Sequence, residues 1–137
     1  MKSLVVDDDF TCAFMYKLQL SKYGQCDTFS NGLDAIKAYE ASLNSSNPYD
    51  LMLIDIMMPD MNGYEVLKII REIEEEKLIS FPFNAKIILT TGLDDTENRQ
   101  NEKELDHISE TYLVKSNDPN ALMNKLILLG FEYLESN

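Results

Sequence analysis

One stretch limits what this chain can fold into: Asp50 to Gly63, DLMLIDIMMPDMNG. Five of the six residues from Leu51 to Ile56 are apolar, the pattern of a strand covered by helices on both faces. Asp55 breaks the run near its end, and Pro59, Asn62 and Gly63 then mark a loop. A carboxylate at the carboxyl end of a buried strand is costly unless it is paired, solvated or bound to a cation. A lone aspartate there reads as a turn cap, so the weight of Asp55 depends on what else reaches the same place.

The chain has 137 residues, a length that predicts one domain, 1–137, with a real core. Its formal charge of −12 disfavours a nucleic-acid backbone or an anionic membrane as direct partner. No apolar run reaches transmembrane length, and Met1-Lys2-Ser3 leads into a short apolar run and three aspartates rather than a signal peptide. Cys12 and Cys26 have no metal-type spacing and read as small buried hydrophobes, so a reducing cytoplasm is the expected location.

In chain order, Ser3 to Val6 reads as a short strand ending in Asp7-Asp8-Asp9. Phe10, Phe14, Met15 and Leu18 then fall at helical spacing up to about Lys22, with Gly24 as a stop signal. A second strand covers Gln25 to Phe29. Ser30 or Asn31 caps a helix whose inward face is Leu33, Ile36, Ala38 and Tyr39. After the central strand, a helix to about Lys77 turns Val66, Leu67, Ile69, Ile70 and Ile73 inward and Glu72, Glu74, Glu75 and Glu76 outward. Lys86 to Leu89 is another buried strand, ending in Thr90-Thr91-Gly92. Asp94 to Glu110 holds seven acids and two bases and has a thin apolar stripe, so a short, frayed helix is expected there. Thr111 to Val114 is the last strand, closed by Lys115. Asn117 or Asp118 then caps a final helix bearing Leu122, Leu126 and Leu129. Five strand–helix alternations predict a parallel sheet covered on both faces, with ligands bound beyond the carboxyl ends of its strands.

Polar residues should converge at that edge: Asp7 and Asp8 from the first strand, Asp55 from the third, Thr90 from the fourth, Lys115 from the fifth. Each alone has an ordinary explanation. Their common position does not. Three carboxylates and one ammonium leave two negative charges in excess, which calls for raised pKa values or a cation. Oxygen ligands without His or Cys favour Mg²⁺, which keeps waters and a place for a phosphate. Asp55, central in the cluster, is the candidate nucleophile for an aspartyl phosphate. Asp8, and Asp7 through water, would hold the metal, while Lys115 and the Thr90 hydroxyl would meet phosphoryl oxygens. No general base is evident, and His107 reads as a surface residue.

The motifs are Val5-Val6-Asp7-Asp8-Asp9, Leu53-Ile54-Asp55 through Asn62-Gly63, Ile88-Leu89-Thr90-Thr91 and Tyr112-Leu113-Val114-Lys115. Over essentially its whole length the chain resembles the receiver domain of two-component response regulators, the family of the chemotaxis regulator. The resemblance implies an α/β, doubly wound, five-stranded parallel sheet of order 2-1-3-4-5, the flavodoxin-like receiver fold. It implies that Asp55 accepts a phosphoryl group from a phosphohistidine on a sensor histidine kinase or histidine phosphotransfer protein. Asp8, Asp55 and the Met57 backbone carbonyl would bind Mg²⁺, and Thr90 and Tyr112 match the family's switch pair. The expected activity is that of a phosphoacceptor signalling to a downstream protein, with slow self-dephosphorylation, and not that of an enzyme.

Three departures from the family pattern stand out. Ser116 follows Lys115 where the family usually has a cis proline; a non-proline cis bond costs roughly 2.5–4 kcal/mol, so a trans bond is expected, with Lys115 aimed differently. The polar 94–110 segment weakens any carry-over of the family's signalling surface. Thr91 replaces a small alanine and either restricts phosphoryl access or adds a hydroxyl. The chain ends after the final helix, leaving room for no output domain, so it is either a stand-alone receiver or a piece of a longer protein. The alternative function is a receiver-like interaction module that binds partners without phosphorylation. A Mg²⁺-dependent phosphatase lacks support, because Met57 stands where a second acid would be needed.

Overall fold

A computed structural model of the chain describes residues 1–92, 111–116 and 118–132. Its elements are β1 (Lys2–Val6), α1 (Phe10–Leu20), β2 (Gln25–Phe29), α2 (Gly32–Asn44), β3 (Leu51–Asp55), α3 (Gly63–Glu76), β4 (Lys86–Thr91), β5 (Thr111–Val114) and α4 (Ala121–Leu128). The strands form one parallel sheet in the order β2-β1-β3-β4-β5, as the resemblance implied. The acidic 94–110 segment, His107 and Asn117 lie outside the described residues.

Because side chains alternate along a strand, the sheet divides its apolar residues between two cores. Leu4, Val6, Met52, Ile54, Ile87 and Leu89 face Ala35, Tyr39, Val66, Leu67 and Ile70 of α2 and α3. Val5, Leu51, Leu53, Ile88 and Leu113 face Ala13 and Leu20 of α1 and Leu122 and Leu126 of α4. All five residues of β3 are buried, which is why its sequence shows a continuous run instead of alternation. The helix starts are chemically marked. Asp9 caps α1, accepting from the Thr11 and Cys12 N–H groups, Asn31 caps α2, and Asn62 and Glu65 form a capping box on α3. The last helix differs from expectation: its N-cap is Asn120, with no side-chain cap bond, and Asp118 instead closes the preceding turn by accepting from the Asn120 N–H at 2.9 Å.

Three inward faces differ from expectation. On α1 the buried residues are Ala13 and Leu20, with Tyr16 packed beside them, while Phe10, Phe14, Met15 and Leu18 are exposed. Both sets have helical spacing, so periodicity could not choose between them; the smaller side chains let α1 lie close to the sheet. On α2, Leu33 points outward and Ala35 inward. On α3, Glu74 is buried among the residues read as a solvated face. Its carboxylate is fully engaged: Tyr39 Oη donates to Oε2 at 2.6 Å, the Ala85 N–H donates to the same oxygen at 2.8 Å, and Arg71 binds Oε1. Arg71 also donates to the Ala85 carbonyl at 2.9 Å. This ties α2, α3 and the entry to β4 at one point. Burial and the Glu74 bond push the Tyr39 phenol well above its ordinary range.

Removing one partner from such a buried group leaves the others unsatisfied. Glu74→Ala is expected to lower unfolding free energy by about 3 kcal/mol in urea titration, whereas the exposed neighbour Glu75→Ala should stay within about 0.5 kcal/mol of wild type. Equal, small effects from both would show that the buried hub carries no stability.

Candidate functional site: an acid pocket at the carboxyl edge

Register and alternation together place the site. Val6 pairs with Ile54, so Asp7 and Asp55 each stand one residue further on; Asp55 pairs with Thr90 and Thr90 with Leu113, so Lys115 stands two residues beyond that row, in the same phase. Asp7, Asp55, Thr90 and Lys115 share the alternation of Val5, Leu53, Ile88 and Leu113, the residues facing α1 and α4. They therefore emerge on one side of the sheet.

The geometry follows. Lys115 Nζ lies 3.0 Å from Asp7 Oδ2 and 3.2 Å from Asp55 Oδ2. Asp7 and Asp55 are each 2% exposed, and Asp8 is exposed beside them. One carboxylate oxygen from each of Asp7, Asp8 and Asp55 falls within a cluster 4.8 Å across. Backbone N–H groups hold the carboxylates in place: Asp9 donates to Asp7 Oδ1 at 2.9 Å and Met57 to Asp55 Oδ1 at 3.2 Å. Among the described residues Asp7 Oδ2 is buried with no hydrogen bond of standard geometry and has Lys115 as its one charged partner.

The charges are strongly coupled. Burial, and next the Asp7 charge, push the Asp55 carboxyl up to about 7, against the pull of Lys115 and the Met57 N–H. Burial alone would depress Lys115, but its bonds to Asp7 and Asp55 outweigh this and raise it above its usual value. Three hard oxygen donors, one of them under-satisfied, fit a divalent cation such as Mg²⁺.

Other expected residues take varied places. Thr90 is buried opposite Asp55. Tyr112 is paired with Leu89 and packs towards the α2–α3 core, out of phase with Thr90. The Thr91 hydroxyl is turned to the Gly92 carbonyl at 3.3 Å, within fully buried surroundings. The Lys115–Ser116 bond is trans, the one cis bond among the described residues being Phe81–Pro82. Lys115 still reaches both carboxylates, anchored by its own N–H to the Thr91 carbonyl at 2.8 Å. Ser116 Oγ accepts from the Asp118 N–H at 3.3 Å, shaping the turn that leads on to α4. Gly63 meets the strand end, donating to the Ile56 carbonyl at 3.0 Å, and a Cβ there would sit 2.5 Å from the Asp55 carbonyl oxygen. Sequence reasoning missed two contributors. Asp9 is a helix cap, signalled by its place just before an apolar periodic run. Tyr16 lines, with Cys12, Lys115 and Ser116, a cleft of about 410 Å³ beside the pocket; nothing in its spacing marks it.

Residues 4–127 match the family model of the response regulator receiver domain. The chain belongs to that family. As a receiver it is a signalling phosphoacceptor module of two-component systems and not a classical enzyme, and the family implies histidine kinases among its partners. It is 31% identical over 138 residues to the transcriptional regulatory protein CpxR homolog of Haemophilus influenzae, an alignment covering 96% of this receiver and 58% of that protein. It is 33% identical over 111 residues to the DNA-binding transcriptional regulator NtrC of Proteus hauseri, covering 79% of the receiver and 21% of the relative. The receiver thus spans little more than half, or less, of the curated relatives it matches. Among solved structures, TrrA of Thermotoga maritima in complex with Mg²⁺-BeF shares 32% identity at a TM-score of 0.71, covering 93% of this chain and 97% of that one. The chemotaxis protein CheY4 of Vibrio cholerae superposes with a TM-score of 0.72 at 24% identity, over 93% and 96% of the two chains, and supports the fold. No helix among the described residues is long and apolar enough to cross a membrane.

The raised Asp55 value has a thermodynamic consequence. Between the ordinary value of 3.8 and about 7, the folded chain keeps a proton on Asp55 that the unfolded chain has released. Stability of the metal-free protein should therefore fall as pH rises through that window. Urea unfolding in a chelator at about pH 5 and about pH 8 should show this decline, and Asp55→Asn should flatten it. A wild-type slope unchanged by Asp55→Asn would assign the dependence to another group.

Proposed function

We propose that residues 1–137 act as one phosphoacceptor receiver in a two-component phosphorelay, in the reducing cytoplasm, with Asp55 as acceptor. One observation carries this reading: the Lys115 ammonium bridges Asp7 and Asp55 at 3.0 and 3.2 Å, with Asp8 at the rim. Such a cluster has too much negative charge for its burial and is arranged to take a cation and then a phosphoryl group. Asp7, Asp8, Asp55 and the Met57 carbonyl would hold Mg²⁺, which would offset the carboxylate charge and the charge on the transferred group.

In the transfer, an Asp55 carboxylate oxygen forms a bond to phosphorus as the P–N bond of a phosphohistidine breaks, and the imidazole keeps the electron pair. Lys115 is within reach of the Asp55 oxygen and would neutralise phosphoryl oxygens, and the Thr90 hydroxyl would donate to one of them. Holding these groups ready lowers the barrier mainly by positioning. The donor is proposed to be a sensor histidine kinase or a histidine phosphotransfer protein. The exposed Phe10, Phe14 and Leu18 on α1, beginning two residues beyond Asp8, support a protein donor with an apolar docking face. Thr90 and Tyr112 would then report the change through β4 and β5 to a downstream protein.

With a small-molecule phosphodonor and Mg²⁺, the protein should gain one acid-labile phosphoryl group by intact-mass measurement; Asp55→Asn should gain none. No gain by wild type at any Mg²⁺ concentration would sink the proposal and favour a module that binds partners without phosphorylation. On phosphorylation, amide exchange at Thr90 and Tyr112 should change while the middle of β1 stays protected. Unchanged exchange at both residues would remove them from the switch.

A further inference from the structure

The amino edge of the sheet, at the far end of the strands from Asp55, carries a feature that phosphoryl acceptance does not use. Between α3 and β4 the chain presents Leu78, Phe81 and Phe83 at 90%, 75% and 82% exposure. Burying apolar side chains of this size is favourable, so three displayed on one loop mark a contact surface. The loop that bears them is pinned. Both backbone groups of Ala85 are bound, the N–H to Glu74 and the carbonyl to Arg71. The Ile79 N–H donates to the Glu74 carbonyl and the Phe83 N–H to the Ser80 carbonyl, each at 2.8 Å. A surface held this way loses little freedom when it binds.

Beside the anchors lies a cleft of about 450 Å³ lined by Arg71, Glu74, Glu75, Leu78, Phe81 and Asn84, among others. Glu72, Glu75 and Glu76 are exposed along the adjoining turn of α3 and pair with no described cation. Two nearby cations are engaged: Lys77 donates to Asn44 at 3.3 Å, and the Lys86 ammonium sits 4.5 Å from the Phe81 ring centroid. The surface thus offers apolar anchors and exposed carboxylates. Charge decides between occupants. A second copy would bring together two chains of −12, and an anionic membrane is repelled in the same way.

We infer that the α3–β4 surface docks a basic, apolar-bearing segment of a partner protein. Leu78, Phe81 and Phe83 seat its apolar side chains, while the α3 carboxylates take its N–H groups and cations. Because β3 separates this surface from Asp55 by roughly 16 Å of strand, docking is independent of the phosphoryl state. It gives the receiver a constant attachment in addition to its switched one.

The test titrates the isotope-labelled full chain with a short synthetic Lys/Leu peptide, and with a Glu/Leu peptide as control, following amide shifts. Shifts should be confined to residues 72–86, absent with the acidic peptide and unchanged in Asp55→Asn. Binding should be at least about tenfold weaker in a Phe81→Ser/Phe83→Ser double variant. Both phenylalanines are exposed, so thermal unfolding should be unaltered; should the double variant not fold, Glu75→Gln/Glu76→Gln takes its place, with the same weakening expected. Shifts scattered over the acidic surface or centred on α1, or equal binding by the variants, would overturn the inference. So would a wild-type dimer abolished by the double variant, which would make the occupant a second copy, or binding to anionic vesicles. The Asp55→Asn arm keeps this result separate from the phosphoacceptor reading, since either can fail while the other stands.

Discussion

The Lys115 ammonium between Asp7 and Asp55 is the interaction on which the carboxyl edge depends. Two buried carboxylates side by side repel, and burial penalises both. One cation shared between them makes the arrangement tolerable without satisfying it, because Asp7 Oδ2 has no other donor among the described residues and burial still raises the Asp55 carboxyl. The pocket is therefore folded but electrostatically incomplete. That incompleteness is what a cation and a phosphoryl group can relieve, so the same charges that strain the metal-free fold favour its ligands.

The sheet makes this arrangement possible by arithmetic of alternation. Four groups from four strands meet because each shares the phase of an apolar residue facing α1 and α4. The opposite phase builds the α2–α3 core, and there a second polar centre is assembled in a contrasting manner. Glu74 has a partner for each oxygen and is closed, whereas the acid pocket is open at Asp8 and under-satisfied within. One buried carboxylate serves as a rivet, the others as a receptor.

Much of this was legible in the sequence because it rests on local pattern. The continuous apolar run of β3, the strand-end acids, Thr90 and Lys115 could be read directly, and period two then placed them together. The inward face of α1 could not be read. Ala13, Tyr16 and Leu20 compete with Phe10, Phe14 and Leu18 at the same period, and only the distance between helix and sheet decides for the smaller set. Glu74 was hidden for a different reason: its partners Tyr39 and Ala85 are distant in sequence, and within a run of glutamates nothing local distinguishes the buried one. The departure at Ser116 proved compatible with the site, because the Thr91 carbonyl anchors Lys115 and the serine itself closes the turn.

Gly63 gives the pocket a lopsided mechanical character. With no space for even one carbon between the start of α3 and the Asp55 carbonyl, the loop of Met57 to Asn62 is clasped at both ends to the strand that carries Asp55. On the other flank, Lys115 reaches in on a flexible four-carbon stem. A group arriving at Asp55 meets a wall that cannot retreat on one side and a movable arm on the other. The asymmetry of the pocket's two walls is thus set by a missing side chain.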